Sequence, residues 1–422
     1  MYFCDDGSVI SAVYGSEILD SRGNPTVAAT VVLRNGVCAT GMSPSGASTG
    51  SHEAVELRDG DKSRYNGKGV MNAVENINKI LSKVLIGKNV FNQYEIDRAM
   101  TDADGTENKS EIGANAILAV SSACVKAAAK TKNMPLYRYV GGISSYNLPI
   151  PMLNIINGGV HAKNNIEIQE FMIVPVGSLY FSDGLRKSTE VYHALKHILT
   201  EKGLSTAVGD EGGFAPDLDS DAAAIELILD AVDSAGYSAP DDFMIALDVA
   251  SSEWTDSSSQ GKYLMPKHNT EHTTESLIMY MKGLITHYPI LSIEDPLSED
   301  DFDGWKQITS EIGGSVQLVG DDLFVTDKTR LRHGITERYA NSILIKPNQV
   351  GTITETIDTV SEAHRNGFNS VMSHRSGETE DTMIADLAVG LSTKFIKSGA
   401  PCRAERTAKY NRLLQIEREM RG

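Results

Sequence analysis

The stretch NSILIKPNQVG, residues 341–351, carries a lysine to the end of an apolar run and stops it with a proline. Ile343, Leu344 and Ile345 have the apolar character of a buried strand, and Lys346 follows them directly. An ammonium group is costly to bury, and lysine heads usually lie at the protein surface. Lys346 at the tip of a buried strand therefore indicates a chemical task.

The same pattern recurs through the second part of the chain. Apolar runs end in a polar residue at Asp248, Glu294, Asp321, Lys346, His374 and Lys397. Segments with helical periodicity lie between these runs, for example 274–287, 326–339 and 352–364. Apolar strands that alternate with helices predict a parallel sheet covered by helices.

Residues 141–422 are long enough for an irregular (β/α)8 TIM-type barrel, whose usual size is about 250 residues. The Gly/Ser-rich segment 141–149 reads as a linker, and 149–158 and 165–176 read as first strands with less regular connections. A doubly wound open sheet is the competing architecture, but it normally places its ligand at one switch point. Polar residues at so many strand ends favour the barrel.

Residues 1–140 predict a separate α+β cap domain. The runs VISAVYGSEIL, TVAATVVL and VCATGM predict a three-stranded meander, in which Asn35-Gly36 is the turn signal between the last two strands. Helical segments follow at 69–86 and in the Ala-rich stretch 113–130. The fold class is therefore α/β, with a cap domain followed by the barrel.

Charge and composition argue against several classes of protein. The formal net charge of −17 disfavours a nucleic-acid or anionic-membrane partner. No apolar run approaches the roughly 18 residues needed to cross a bilayer, and MYFCDDGSVI lacks the features of a signal peptide. The cysteines Cys4, Cys38, Cys124 and Cys402 are far apart and form no C-x-x-C pair, so we expect reduced thiols and a cytoplasmic protein.

In a barrel, polar residues at the carboxyl ends of the strands converge on one mouth. Asp248, Glu294 and Asp321 would lie together there, and three carboxylates stay ionised together only with a cation between them. An all-oxygen donor set favours Mg²⁺ over Zn²⁺. Near such an ion and Lys397, Lys346 would lose its proton more readily than a free lysine and would be able to remove a proton α to a carboxylate.

Other polar residues flank these strand ends. They are Glu211 in GDEGG, Gln169 and Glu170 in IQEFM, and His374, Arg375 and Ser376 in SHRSGE. A carboxylic acid at Glu211, on a glycine-rich loop, would be able to protonate a leaving hydroxyl. The guanidinium of Arg375 beside the Ser376 hydroxyl would bind an oxyanion or a phosphate.

The loop PSGASTG, residues 44–50, is a candidate mobile lid over an active site because of its glycines. It also matches the G-x-S-x-G pattern of a serine hydrolase, with Ser48 as nucleophile and His374 as a possible base. That alternative explains none of the carboxylates at the strand ends.

Taken together, the chain resembles the enolase family along essentially its whole length. The matching stretches are ILDSRGNPTV, PSGASTG, ELRDGDKSRY, DGTENKSEIGANAILAVS, NIINGG, QEFMIVPVG, AVGDEGGFAP, SIEDP, GDDLFVT, NSILIKPNQVG, SHRSGETED and AKYNRLLQIE. The resemblance implies a cap domain on a barrel with irregular early strands. It also implies reversible, Mg²⁺-dependent dehydration of 2-phosphoglycerate to phosphoenolpyruvate, a step of glycolysis.

The resemblance further implies a role for each site residue. The implied catalytic residues are Lys346, Glu211, Glu170 and His161; the substrate ligands are Gln169, His374, Arg375, Ser376 and Lys397; the metal ligands are Asp248, Glu294, Asp321 and Ser48. Lys346 would remove the C2 proton, and Glu211 would assist loss of the C3 hydroxyl. Two Mg²⁺ ions would bind, the second with the help of Ser48.

Three other expectations concern alternatives, assembly and location. A racemase or acid-sugar dehydratase of the same superfamily remains an alternative, and so does a non-catalytic scaffold or surface-displayed binding protein. The family implies a homodimer or a homo-octamer, with no nucleic-acid or membrane partner. A surface or secreted fraction would be possible without a signal peptide.

Overall fold

The computed structural model describes residues 6–46, 51–255 and 261–421. Its first strands are β1 (Ile10–Leu19), β2 (Pro25–Leu33) and β3 (Cys38–Met42). They form an antiparallel sheet in the order β1-β2-β3, so the predicted meander is confirmed. The Asn35-Gly36 signal locates the second turn, but the turn is longer than two residues because the Leu33 N–H donates to the Val37 carbonyl at 2.8 Å.

Helices follow this sheet and pack against it. They are α1 (Met71–Asn76), α2 (Ser82–Leu85), α3 (Gln93–Asp104), α4 (Ala114–Thr131) and α5 (Leu136–Gly141), with a π-helical turn, Ile77–Leu81, between α1 and α2. The buried alanines of α4 allow its backbone to approach β3 closely. A Cβ atom on Gly41 would lie only 2.3 Å from the Ala119 carbonyl oxygen.

This N-terminal part packs directly on the C-terminal part of the chain. Tyr137 of α5 is buried in the same apolar core as the later helices, and Ser45 forms an isolated β-bridge with Gly377. The sequence-based division between residues 140 and 141 stays a prediction.

The second part of the chain contains the barrel. Its strands are β4 (Ile150–Asn157), β5 (Glu170–Val174), β6 (Met244–Asp248), β7 (Lys262–Met265), β8 (Thr270–Thr273), β9 (Ile290–Glu294), β10 (Gln317–Gly320), β11 (Ser342–Ile345), β12 (Asn369–Ser373) and β13 (Phe395–Lys397). Eight of the described strands close into a barrel in the order β10-β11-β12-β13-β4-β5-β6-β9. A closed barrel has no switch point of the open-sheet kind, so the doubly wound alternative is wrong.

The barrel departs from the regular pattern at one strand. β5 runs antiparallel to both of its neighbours, β4 and β6, whereas the other neighbouring pairs of the barrel are parallel. The irregular start expected from the sequence is therefore present. β7 and β8 pair with each other as an antiparallel hairpin outside the barrel.

Helices surround the barrel. They are α6 (Phe181–Glu201), α7 (Asp221–Ser234), α8 (Thr274–His287), α9 (Phe302–Ile312), α10 (Lys328–Glu337), α11 (Pro347–Val350), α12 (Ile353–Arg365), α13 (Met383–Gly390) and α14 (Ala404–Arg421). Several begin at a side-chain cap that satisfies a free backbone N–H: the Thr352 hydroxyl, for example, accepts from the Glu355 N–H at 3.1 Å. In the described part of the chain, no helix combines the length and the apolar character that crossing a bilayer requires.

Two apolar cores flank the barrel wall. The larger lies between the strands and the surrounding helices, and it contains Ile343 and Ile345 of β11. The smaller fills the barrel interior and contains Leu344 of the same strand. Successive side chains of a strand point to opposite faces, so β11 contributes to both cores in turn. This alternation determines which residues reach the mouth of the barrel.

Candidate active site

The alternation of the strands brings polar side chains to the inner side of the barrel mouth. Interior apolar residues are followed two positions later by a polar residue in the pairs Ala246 and Asp248, Val319 and Asp321, Leu344 and Lys346, and Phe395 and Lys397. A side chain two positions along a strand lies on the same face, one step nearer the strand end. These polar groups line one cleft at the barrel mouth.

Glu170 and Gln169 reach the same cleft by a different route. The sequence pattern placed them at the end of a segment, but Glu170 opens β5. Because β5 is antiparallel, its beginning lies at the mouth, and Glu170 is paired with Asp248 across the β5–β6 register. Gln169 Nε2 donates to Asp248 Oδ2 at 3.3 Å.

Lys397 lies at the centre of the carboxylates. Its Nζ donates to Asp248 Oδ2 at 2.8 Å and to Glu294 Oε1 at 2.9 Å, and it lies 3.3 Å from Glu170 Oε2. The lysine is 3 % exposed. Burial alone would lower the pKa of Lys397, but the surrounding carboxylates outweigh it and hold the pKa well above its usual value. Lys397 is therefore a firmly charged ammonium in this arrangement.

Lys346 forms an ion pair with Asp321. Burial and the nearby cations Arg375 and Lys397 act to lower the pKa of Lys346, while Asp321 and Glu294 act to raise it, and the net result is a raised pKa. The sequence pattern predicted an amine that loses its proton readily. In this arrangement of side chains Lys346 is a charged ammonium, because the Asp321 carboxylate stabilises the protonated form.

Asp295 and Asp322 are two acidic neighbours that were not assigned from the sequence. Asp295 Oδ1 accepts the Asp321 N–H at 2.9 Å, and its Oδ2 accepts the Asp322 N–H at 2.9 Å, so Asp295 fixes the start of the segment after β10. Burial and the charge of Asp321 raise the pKa of Asp322 to about 8. The position of Asp295, directly after the strand-end Glu294, was the available sequence signal.

Glu211 enters the cleft on the loop that joins α6 to α7. Gly212 has φ +88°, and a Cβ there would lie 2.9 Å from the Cys402 carbonyl oxygen, so the loop needs a glycine at this point. Asn154 Nδ2 donates to Glu211 Oε2 at 3.2 Å, and the Ser376 hydroxyl donates to Glu211 Oε1 at 3.3 Å. These contacts fix the carboxylate beside the barrel opening.

His374 faces the same carboxylate as a neutral imidazole. Burial lowers the pKa of His374 well below its usual value. Arg406 Nη1 donates to His374 Nδ1 at 2.5 Å, so the ring proton is on Nε2, which lies 3.5 Å from Glu211 Oε2. Arg406 is fully buried, and it was missed at the level of sequence because nothing in a helical segment marks it out.

The pKa values of the Glu170 and Glu211 carboxyl groups are shifted in opposite directions. Burial and the charge of Glu211 raise the pKa of Glu170 well above its usual range. Burial opposes ionisation of Glu211, but the facing imidazoles of His374 and His161 and the cation of Arg406 outweigh burial and hold its pKa well below the usual range. The proton of this pair is therefore on Glu170. Such a difference in pKa between two neighbouring carboxyl groups is what assigns acid and base roles.

His161 lies beside this pair. Its Nδ1 is 3.7 Å from Glu170 Oε1 and 4.0 Å from Glu211 Oε1. That nitrogen is buried and has no hydrogen-bond partner among the described residues. A buried nitrogen that faces two carboxylates is available to a ligand that enters between them.

Arg375 and Ser376 lie at the edge of the cleft nearest the cap. Arg375 Nη1 donates to Glu53 Oε2 at 2.8 Å and to Asn348 Oδ1 at 3.3 Å. Glu53 was not identified from the sequence, although it follows the predicted lid loop closely. Ser48 lies outside the described residues, as does most of the loop 44–50, so neither its proposed metal contact nor the hydrolase motif is placed.

Two family models match the chain on either side of residue 141. The model described as "Enolase, N-terminal domain" matches residues 10–140, and the model described as "Enolase, C-terminal TIM barrel domain" matches residues 145–422. The chain belongs to the enolase family. This membership supports a lyase of the enolase superfamily that acts on a small anionic substrate.

The acidic groups of the cleft suit the magnesium that the enolase family suggests. Ligand atoms of Asp295, Asp321 and Asp322 lie within 4.8 Å of one another, and so do those of His161, Glu170 and Glu211. Asp248 and Glu294, which were predicted from the sequence as ligands together with Asp321, end the neighbouring strands β6 and β9. The carboxylate oxygens among these donors are the ligands that Mg²⁺ prefers, and the described carboxylates of the cleft outnumber its lysines and arginine.

Proposed function

We propose that this chain catalyses the reversible, Mg²⁺-dependent dehydration of 2-phosphoglycerate to phosphoenolpyruvate. The observation that carries the proposal is the position of two groups on opposite sides of one cleft. Lys346 follows β11, and β5, which begins with Glu170, lies four strands away in either direction around the eight-stranded barrel. Glu211 lies beside Glu170. A substrate in this cleft would meet Lys346 on one face and the Glu170–Glu211 pair on the other.

Lys346 is proposed as the base that takes the C2 proton. The pKa of a substrate proton α to a carboxylate is high, so the amine must be close, unprotonated and shielded from water. The Asp321 carboxylate stabilises the protonated form of Lys346. Lys346 therefore becomes available as a base when another cation binds Asp321. A Mg²⁺ ion held by Asp248, Glu294 and Asp321 would supply Lewis-acid stabilisation of the charge that develops on the substrate carboxylate.

The Glu170–Glu211 pair is proposed to deliver a proton to the departing C3 hydroxyl. Glu211 is the nearer candidate for the hydroxyl because the Asn154 and Ser376 side chains aim its carboxylate at the cleft. The proton that burial keeps on Glu170 provides a local supply. His161 Nδ1 lies 3.7 Å from Glu170 Oε1 beside it. This arrangement separates the base from the acid, as an elimination with two proton transfers requires.

The remaining proposed roles concern substrate binding. Arg375 and Ser376 would bind the phosphate, with the guanidinium exchanging its contact with Glu53 for the phosphate oxygens. His374 is proposed as a further substrate ligand. Lys397 and Gln169 would bind the carboxylate end. A second Mg²⁺ ion with Ser48 as one ligand remains part of the proposal, as do the homodimeric or homo-octameric state and the cytoplasmic location. The described cysteines Cys38, Cys124 and Cys402 are free thiols.

The serine-hydrolase alternative has little support from His374. Both ring nitrogens of this histidine already face described partners, Arg406 and Glu211. The superfamily alternative, a racemase or dehydratase for an unphosphorylated acid, is distinguished by its substrate. Turnover of 2-phosphoglycerate but not of unphosphorylated glycerate would support the phosphate-binding role of Arg375.

The test separates proton abstraction from loss of the hydroxyl. Lys346→Ala should lose exchange of the C2 proton, by a factor of about 10³ or more, because the base itself is removed. Glu211→Gln should keep that exchange and lose dehydration, since Gln preserves the shape of the side chain but cannot pass a proton from Glu170 to the hydroxyl. Deuterium incorporation measured by NMR follows the first step, and phosphoenolpyruvate absorbance follows the second.

The control is Lys394→Ala, because Lys394 is exposed directly before β13 and should leave both steps unchanged. Excess chelator should abolish turnover by the unmodified enzyme. Full activity in chelator, or equal loss of exchange and dehydration in Glu211→Gln, would overturn the assigned roles.

A further inference from the structure

A hairpin that the proposed mechanism does not use holds the loop that carries His161. The hairpin β7–β8 turns at 266–269, and this turn lies against the loop 158–165. Lys267 Nζ donates to the Ala162 carbonyl oxygen at 3.1 Å and to Asn164 Oδ1 at 3.2 Å. One ammonium group therefore bridges two points of the loop just after His161.

The turn that presents Lys267 is itself fixed by a buried carboxylate. Glu167, which is 1 % exposed, accepts the Lys267 N–H at 2.8 Å and the His268 N–H at 2.6 Å on Oε1. His268 Nδ1 lies 3.2 Å from the same oxygen. Charge-assisted hydrogen bonds from backbone N–H groups are among the stronger ones in proteins. Glu167 therefore locks the turn in register with the segment that leads into β5.

Glu167 and Asn164 are in turn attached to rigid parts of the barrel. The Glu167 and Ile168 N–H groups donate to Asp221 Oδ1 at 3.0 and 3.1 Å, at the start of α7. Asn164 Nδ2 donates to the Asn157 carbonyl oxygen at the end of β4, at 2.8 Å. These hydrogen bonds attach the C-terminal end of the loop to the barrel. The bond from Lys267 to the Ala162 carbonyl oxygen holds the loop at a second point, nearer His161.

We propose that Lys267 is a positioning residue, which holds the loop 158–165 so that His161 faces Glu170 and Glu211. This inference rests on the proposed function, in which His161 acts beside that carboxylate pair. His161 is one residue before Ala162, and Val160 on its other side is 59 % exposed, so little apolar packing fixes the loop there. Without the ammonium bridge, the loop would occupy other positions for part of the time and fewer molecules would be competent.

The first test compares Lys267→Met with Lys163→Met. Methionine keeps the length of the side chain and removes the donor, while Lys163 is an exposed lysine on the same loop and serves as the matched control. We expect Lys267→Met to lower kcat about five- to twentyfold, since a partly exposed charged donor loses two hydrogen bonds. KM should change less than about twofold, because the proposed phosphate ligands on the loop after β12 are untouched. Lys163→Met should match the unmodified enzyme.

The second test measures the loop directly and does not depend on turnover. Hydrogen–deuterium exchange of the substrate-free protein should be faster at residues 159–165 in Lys267→Met, by a similar factor, and unchanged in the strands and in Lys163→Met. Glu167→Gln, which weakens the anchor of the turn, should speed exchange in the same segment. The double variant should exchange little faster than Lys267→Met alone, since both changes break the same connection between the turn and the loop.

The outcomes separate a positioning role from a purely structural one. Lys267→Met with normal exchange in 159–165 overturns the proposal, whatever its melting temperature. Faster exchange with an unchanged kcat also overturns it, because the loop position would then not matter for turnover. If the unmodified protein does not turn over 2-phosphoglycerate, the proposed function fails, and the exchange experiment still decides whether Lys267 holds the loop.

Discussion

Replacement of Lys397 by methionine tests how the buried charges of the cleft are balanced. The Lys397 ammonium lies within 2.9 Å of oxygens of Asp248 and Glu294 and within 3.3 Å of Glu170. Methionine has a similar length and carries no charge, so the change removes the cation and leaves the carboxylates in place. We expect a large loss of stability in the absence of metal.

The magnitude follows from two opposing contributions. The ammonium lies 2.8 Å from Asp248 and 2.9 Å from Glu294. At an effective dielectric constant of 20, each of these two charge pairs is worth about 6 kcal/mol of attraction. Taking the ammonium out of water costs several kcal/mol and offsets much of this attraction. Removal of one partner from a buried ion pair typically costs about 3–5 kcal/mol, and we expect that range here. The cost should be smaller at pH 5 than at pH 8, because Glu294, whose pKa burial and Asp248 already raise, takes up a proton more readily.

Urea unfolding in excess chelator measures this cost, with Lys394→Met as the control. Lys394 is exposed just before the same strand, and its contact with the Phe395 ring, 5.5 Å from the centroid, is worth about 1 kcal/mol or less. Addition of Mg²⁺ at about 100 times its Kd should restore about 2.7 kcal/mol to Lys397→Met, because the divalent ion binds the folded state alone. A Lys397→Met protein as stable in chelator as the control variant would refute this account of the charge balance.

Two further predictions concern the packing of the N-terminal part. Burial raises the pKa of Asp97, which accepts the Thr354 N–H at the start of α12, to about 6. Because that pKa lies above its unfolded value, the stabilisation is complete below about pH 4 and is lost as the pH rises through 6, by about 3 kcal/mol; urea unfolding from pH 4 to 7 should show this slope, and Asp97→Asn should lack it. Gly41→Ala should destabilise the protein by about 2 kcal/mol or more, since its Cβ would lie 2.3 Å from the Ala119 carbonyl oxygen. Gly283→Ala, where a Cβ meets nothing within 4 Å, should instead be neutral or stabilising in thermal unfolding, and a similar effect of both alanines would contradict the steric argument.

The barrel and most of its mouth could be predicted because they follow from local sequence patterns. An apolar run such as Ile343–Ile345 marks a strand by itself, and the period of two decides that Lys346 shares a face with Leu344. A parallel arrangement then brings the strand ends together without any knowledge of tertiary contacts. Predictions of this kind need only the neighbouring residues.

The residues that were missed depend on contacts between distant segments. Glu53 meets Arg375 from the cap side of the cleft, and Arg406 reaches His374 from α14. Neither lies at a strand end or in a glycine-rich loop, so no local pattern distinguishes it from a solvated charge. The charged state of Lys346 was missed for the same reason. The pKa of Lys346 depends on the Asp321 carboxylate, which only the folded chain places beside it.

The reversed direction of β5 is the feature of the fold on which the site depends most. In a parallel β5 the mouth would receive Val174, and Glu170 would lie about 13 Å away at the other end of a five-residue strand. With the strand antiparallel, Glu170 lies beside Asp248, and the segment that enters β5 runs along the mouth. That segment carries both Gln169 and the loop of His161. The departure from the regular barrel is thus what brings the proposed acid side of the site opposite the strand that ends at the proposed base.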